Sequence, residues 1–300
     1  MKHFLPLKDN YDNHYSDLRI GDVIDNPVPS RILAAGEFGA PREYGPDAAS
    51  EPLGVILKSG ILKVGFDIYD IPFCYFNRWN EISGYDVAYI YELARDLDCQ
   101  IEFVPLNLEK MGSELQSGLY DMGIGALVMD EHRLKLMDFT SAYTEQNNVM
   151  IVAAKDRRKF LDLLPGSGSG LKIGAVGAYK SIVTRHFPEA ILVPDADIND
   201  ALENGKVDAW MWGRRSALVW CENHPNFIVA EYQGLIGKRF YAYPLRTGSI
   251  DWNLFLNNWM ILKQKSGFKK DMERYWIEGR SIKEREPRWS ILQNLLKWNS

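Results

Sequence analysis

The sequence predicts an α/β protein built from two units with the same strand–helix grammar. Three observations carry this reading. Apolar stretches of strand length alternate with segments whose apolar residues recur at helical spacing. The run Pro165-Gly166-Ser167-Gly168-Ser169-Gly170 then interrupts the alternation with the composition of a flexible loop. After it the same alternation restarts. Short strand-to-helix connections imply a mostly parallel sheet flanked by helices.

The elements follow in order. Residues 1–52 stand apart: Pro6, Pro27, Pro29, Pro41, Pro46 and Pro52 lie among scattered glycines and charges without a sustained period, so they read as an extended leader that wraps the surface. Ile61 to Asp67 reads as a strand. Val87, Ile90, Tyr91, Ala94 and Leu97 then share one helical face. Ile101 to Val104 is a second strand, Leu108, Met111 and Leu115 mark a short helix ended by Gly118, and Asp121 to Ala126 is a third strand. A strand at Val149–Ala153 closes the first unit. In the second, Lys172–Val176 is a strand, a helix opens near Tyr179, and Ile191–Val193 is a strand. Ile198, Ala201 and Leu202 mark a helix ended by Gly205, and Asp208–Trp212 is a further strand. Beyond about residue 240 the chain is helical. Trp252, Phe255, Leu256, Trp259 and Met260 form one apolar stripe, and Phe268, Met272, Tyr275 and Trp276 a second; such stripes face a core. The tail, 280–300, carries Trp289, Ile291, Leu292, Leu295, Leu296 and Trp298 and reads as a segment that docks on the body or on a partner.

Composition narrows the function. The 300 residues carry 46% hydrophobic and 25% charged side chains, as globular proteins do. A formal net charge of −5, from 35 basic against 40 acidic residues, lacks the basic face of a nucleic-acid binder. The longest apolar run, Val149–Ala154, is far short of the ~18 residues of a membrane span. Cys74, Cys99 and Cys221 form no CxxC pair, and the five histidines show no HxxxH or HExxH spacing, so neither a structural zinc nor a resident metal is expected. There is no GxSxG elbow and no phosphate-binding Walker loop. The glycines at 166, 168 and 170 do not sit between a strand and a helix, so no dinucleotide cofactor is expected. Nothing in this inventory argues for an enzyme. The N-terminus, Met1 to Pro6, lacks the long apolar core of a secretory signal, which fits a cytosolic protein or a mature chain whose targeting segment has been removed.

Val64-Gly65-Phe66-Asp67, Pro72-Phe73 and Ser83-Gly84-Tyr85-Asp86-Val87 appear in that order, followed by Leu115-Gln116-Ser117-Gly118, Asp121, Arg133, Asp138-Phe139-Thr140 and Tyr143. Lys172-Ile173-Gly174 and Ala201 to Ala209 continue the series, and Trp252 to Trp276 ends it. Over roughly residues 55–279 this combination resembles the type II periplasmic solute-binding proteins. More narrowly it is similar to their family 3, the amino-acid-type receptors of ABC transporters. The resemblance implies two α/β lobes joined by a two-strand hinge, with a ligand cleft between them. Lobe 1 would comprise 53–153 plus 240–279 and lobe 2 would comprise 154–239, leaving 1–52 and 280–300 outside.

The resemblance also implies the site. Arg133 matches the arginine that holds the ligand carboxylate, a task suited to a planar guanidinium fork that stays charged when buried. Its alternative is a solvated arginine within Asp130-Glu131-His132-Arg133. Val128 stands where a hydroxyl residue usually helps, a lost contact of about 0.5–1.5 kcal/mol. The backbone of Gly125 and Ala126 is expected to contact ligand. In lobe 2, Gly177-Ala178-Tyr179-Lys180 replaces a Gly-Thr-Thr-like turn at a helix N-terminus. Ala178, Tyr179 and Lys180 are therefore site candidates, with Lys180 bringing a full charge or facing solvent. Gly213, between Trp212 and Arg214, replaces the aspartate that often receives the ligand ammonium. Asp67 and Asp70 are the expected substitutes, or else caps of the turn before Pro72. Tyr75, Trp212 and Phe73 are expected apolar walls, with a core role as the alternative for Phe73. Arg133, Lys180 and Arg214 set against Asp67 and Asp70 suggest a polar solute with more than one anionic group, an acidic amino acid or a dicarboxylate.

The expected partners are that small molecule and a membrane transporter permease or a covalently fused membrane domain. The protein is expected to be a periplasmic or extracytoplasmic monomer that contacts no nucleic acid. Two alternatives belong to other classes. One is a ligand-sensing or transporter-fused domain. The other is an enzyme resembling the cyclohexadienyl dehydratases, invited by Lys180 near an acid such as Asp70 or Glu145.

Overall fold

The computed structural model describes residues 14–34, 41–45, 51–68, 70–161, 163, 166, 168–231 and 238–279. The tail at 280–300 lies outside them, as do Pro165 and Ser167 of the Gly-Ser run. Among the described residues, no helix is long and apolar enough to cross a membrane.

The first part of the chain builds one layer, apart from one strand. This part contains β1 (Ser30–Ile32), α1 (Pro52–Ser59), β2 (Ile61–Phe66), the hairpin β3 (Tyr75–Phe76) and β4 (Ile82–Ser83), α2 (Tyr85–Asp96), β5 (Gln100–Pro105), α3 (Met111–Gln116), β6 (Met122–Ile124), β7 (Val128–Met129) and β8 (Asp138–Phe139). The strand apart is β7, which joins the second sheet. Next comes β9 (Thr144–Ala153), which is twice the length expected because its first half serves as the crossover. The second layer contains α4 (Arg157–Leu161), β10 (Lys172–Ala175), α5 (Tyr179–His186), β11 (Ile191–Pro194), α6 (Ile198–Glu203), β12 (Ala209–Gly213), α7 (Arg214–Asn223) and β13 (Phe227–Ala230). The chain returns through β14 (Lys238–Tyr241) and β15 (Pro244–Leu245) to α8 (Ile250–Lys265), α9 (Phe268–Met272) and a π-helical turn at Glu273–Ile277.

Two sheets organise these elements. One has the order β1-β5-β2-β6-β15-β8, the other β11-β10-β12-β9-β14-β7, with β13 alongside β9. β2 pairs in parallel with β5 and β6, and β10 with β11 and β12, each pair bridged by a helix in sequence. β9 runs antiparallel to β12 and β13 over its second half and to β14 over its first. β9 and β14 thus form the two-strand connection between the sheets. The architecture is the two-lobed type II periplasmic binding protein fold.

Each sheet owns a core. Buried Leu62, Val64, Ile90, Phe103, Trp252 and Trp276 belong to one cluster, and Val152, Ile173, Val183, Phe187 and Met211 to another. The aromatic stripes of the C-terminal helices therefore cover lobe 1, as their spacing requires.

The leader is more than a wrapping strand. β1 joins the sheet edge beside β5, with Ser30 opposite Ile101. Arg42 forms an ion pair with Asp121 at 2.8 Å with both side chains buried, and the Tyr44 hydroxyl donates to the same carboxylate at 2.9 Å. Arg78 pairs with Asp17 at 2.6 Å, and the Tyr275 hydroxyl donates to Asp22 at 2.7 Å, tying the leader to the C-terminal helices. Proline-rich sequence hid this order because its partners lie on other elements.

Candidate functional site

The loop between β6 and β7 shapes one wall of the site. Gly125 has φ +112, and a Cβ there would lie 2.4 Å from the Asp67 carbonyl oxygen, so only glycine fits. The loop is pinned from behind by Asp86 in the first turn of α2. Its carboxylate accepts the amides of Gly125 and Ala126, each at 3.0 Å, and the Tyr143 hydroxyl at 2.9 Å. Burial pushes the Asp86 pKa up to about 6, opposed by those hydrogen bonds. Gly125 and Ala126 do line the cleft, but their amides are committed to Asp86 instead of a ligand.

Opposite lies the start of α5. Ala178, Tyr179 and Lys180 line the cleft. The amides of Tyr179 and Lys180 are already used, donating to the carbonyls of Val176 and Gly177 at 3.0 and 3.3 Å. Lys180 is no free charge either: its ammonium pairs with Asp195 at 3.0 Å. The two walls enclose a cavity of about 470 Å³ lined by both lobes.

Arg133 sits at the cleft mouth on the lobe 1 side. One guanidinium nitrogen donates to the Val128 carbonyl at 2.9 Å, so Val128 serves through its backbone where a side-chain hydroxyl is lost. Burial lowers the guanidinium pKa, opposed by the fields of Asp130 and Asp67. Among the described residues Arg133 forms no ion pair. Asp67 lines the cleft beside it.

Asp70 joins the lobes. Its carboxylate accepts the Trp212 indole N–H from β12 at 2.8 Å and a hydrogen bond from Ser216. Burial nevertheless pushes its pKa up to about 7. Trp212 is thus both a wall and a bridge.

Three expectations are corrected, and Phe73 takes its core alternative. Tyr75 is buried beneath the leader, donating to the Tyr15 carbonyl at 3.0 Å and meeting the Trp276 ring edge-on, so it is no cleft wall. Phe73 is core, packed between Tyr85 and Tyr241. Arg214 heads α7 and pairs with Glu231 at 2.6 Å, outside the cleft. Gly213 does not line the cavity: a Cβ there would meet the Tyr241 hydroxyl at 2.5 Å and the Tyr179 hydroxyl at 2.9 Å. Those hydroxyls, themselves hydrogen-bonded at 2.9 Å, fill the space an aspartate would need. Glu145, the other acid considered, is exposed and paired with Lys238.

A family model covering residues 62–279, described as bacterial extracellular solute-binding proteins, family 3, matches this chain. The chain belongs to that family.

This family 3 protein has relatives of more than one kind. It is 20% identical over 238 residues to the cyclohexadienyl dehydratase of Pseudomonas aeruginosa, covering 78% of this chain and 88% of the relative. It is 23% identical over 231 residues to the L-cystine-binding protein TcyJ of Escherichia coli, covering 75% and 85%. Among solved structures, the amino acid ABC transporter substrate-binding protein AbpA of Streptococcus pneumoniae, bound to L-arginine, aligns with TM-score 0.67 at 23% identity, over 76% of this chain and 97% of that one. The family match, over residues 62–279, begins after the leader, so the contacts of residues 14–34 and 41–45 lie outside it.

Several lining residues escaped the sequence reading. Leu108 and Glu109 come from the loop after β5, Asp195, Ala196 and Asp197 from the turn before α6, and Ile198 from its first position. The signal for the second group was Pro194-Asp195-Ala196-Asp197, where Asp195 takes a left-handed φ of +54 and Asp197 caps α6 by accepting the Asp200 amide at 2.9 Å.

Proposed function

We propose that the protein is an extracytoplasmic receptor that captures an amino-acid-type solute between its lobes and presents it to a membrane transporter. The observation that carries this reading is Arg133, a half-buried guanidinium in the interlobe cleft that lacks a carboxylate partner among the described residues. Taking a cation out of water without a counter-charge is costly, and a ligand carboxylate repays it bidentately. Asp67 lines the same cavity and supplies a carboxylate suited to an ammonium group. Family membership and relatives that bind amino acids support the class. Micromolar affinity is about −8 kcal/mol, within reach of one bidentate ion pair and several hydrogen bonds.

The test is calorimetry on protein stripped of co-purified ligand by unfolding and refolding, titrated with single amino acids. Arg133→Ala is expected to weaken binding by about 1.5–3 kcal/mol, roughly a factor of ten to a hundred. Unchanged affinity would remove the residue on which the reading stands.

One observation favours a second reading. Asp70, held near a pKa of about 7 inside the cleft, retains its proton in part at neutral pH and is suited to general acid chemistry. Together with the dehydratase relative this supports an enzyme on the same scaffold. Turnover of prephenate or arogenate by the purified protein decides between the two.

A further inference from the structure

A second guanidinium lies beside the first. Arg239 comes from β14, the returning hinge strand, and its side chain crosses to lobe 2, donating to the Ala178 carbonyl at 2.8 Å with its guanidinium 5.2 Å over the Tyr179 ring. It is 8% exposed. Arg133 and Arg239 both line an open groove of about 860 Å³ that shares Arg133, Ala178 and Lys180 with the cleft. Arg185 and His186 line the same groove, and burial lowers the His186 pKa, helped by the fields of Arg185 and Arg239. Three carboxylates also line it, those of Glu109, Asp130 and Glu131. Asp130 accepts the Arg133 backbone amide at 2.8 Å. Among the described residues none of the three forms an ion pair with Arg133, Arg239 or Arg185.

What matters is which charges are already matched. The cleft contains more carboxylates than cations, yet Asp195 is paired with Lys180, Asp197 caps α6, and Asp70 is occupied by Trp212 and Ser216. Lys238 on the groove rim is paired with Glu145. Among the described residues the guanidinium groups of Arg133 and Arg239 form no ion pair: each donates to a backbone carbonyl, the field of Asp130 favours the charge of both, and the field of Arg133 disfavours that of Arg239. A buried like-charged pair is unfavourable unless an anion lies between its members.

We propose that Arg239 is a specificity-determining residue that, with Arg133, forms a two-arginine anion subsite where the cleft opens into the groove, so that the preferred solute carries a second anionic group. Resting on the amino-acid-receptor reading, it narrows the solute class to acidic amino acids and dicarboxylates. Arg133 takes one carboxylate and Arg239 the other, while a solute with a single carboxylate leaves one guanidinium unmatched.

The experiment is calorimetry on the ligand-stripped full chain with glutamate, aspartate, glutarate and succinate against glutamine, asparagine and arginine. The expected result is that the best dianionic solute binds at least about tenfold more tightly than the best of the others. In Arg239→Met that preference collapses to about twofold or less while single-carboxylate binding is retained, and Arg239→Lys keeps part of it. A merely structural Arg239 would weaken all solutes alike, which overturns the proposal. Wild-type preference for glutamine, asparagine or arginine also overturns it while leaving the amino-acid receptor intact. Binding of none of the seven solutes overturns both. If Arg239→Met fails to fold, the wild-type ranking and Arg239→Lys still decide.

Discussion

At Asp70, burial and hydrogen bonding act in opposite directions, and burial wins. The folded pKa is about 7, against about 3.9 for an unfolded aspartate. Between those values the folded chain holds a proton that the unfolded chain has released, so this group's contribution to stability is present at low pH and lost as pH rises towards neutrality. Asp70→Asn keeps a side-chain oxygen for the Trp212 indole and removes the titration. Its melting temperature relative to wild type is therefore expected to be higher at about pH 8 than at about pH 5, the difference amounting to about 2–4 kcal/mol. Equal differences at the two pH values would show that Asp70 does not carry the raised pKa. Residues of this kind were only partly legible in the sequence. Arg133 was singled out by the family resemblance, its residues alone reading equally as a solvated arginine within Asp130-Glu131-His132-Arg133. Tyr75 and Arg214 could not be placed, since an aromatic or a cation gains its role from what it touches, here Trp276 and Glu231.

At the scale of elements, the loop between β6 and β7 depends on α2. Asp86 accepts two loop amides and a tyrosine hydroxyl, so Asp86→Ala leaves buried donors without acceptors, at about 1–3 kcal/mol each. Urea unfolding is expected to show a loss of at least about 2 kcal/mol, with Asp86→Asn less damaging; a smaller loss in Asp86→Ala would mean that water replaces the carboxylate. The helices and strands themselves were largely foreseen. Spacing in Val87–Leu97 and Lys172–Val176 reports which face is buried, and that is a local property. The double length of β9 was missed, because its first half is half-exposed and polar (Thr144, Glu145, Gln146, Asn147, Asn148) and its strand character comes from pairing with β14.

For the molecule as a whole, the leader and the C-terminal helices clamp lobe 1 from the side away from the cleft. The buried Arg42–Asp121 pair is the tightest point of that clamp, with side chains 8% and 0% exposed. Removing one partner strands the other charge, so Arg42→Ala is expected to cost about 3–5 kcal/mol. Thermal unfolding checks it: a melting temperature unchanged from wild type would mean that the leader is dispensable to lobe 1. The leader contacts lobe 1 on β5, β6 and the C-terminal turn, so the same substitution is expected to leave ligand affinity unaltered.

The sequence by itself determined the two α/β units, their order and the flexible break between them, and the family resemblance pointed to Arg133. Each of these is written in periodicity, turn chemistry or an ordered series of short motifs. Only the tertiary structure decided which charges are free. Lys180 and Arg214 are matched by Asp195 and Glu231, whereas Arg133 and Arg239, 106 residues apart in the chain, donate to backbone carbonyls and form no ion pair among the described residues. Charge pairing depends on distances across the fold, and a net charge of −5 read along the chain says nothing about them.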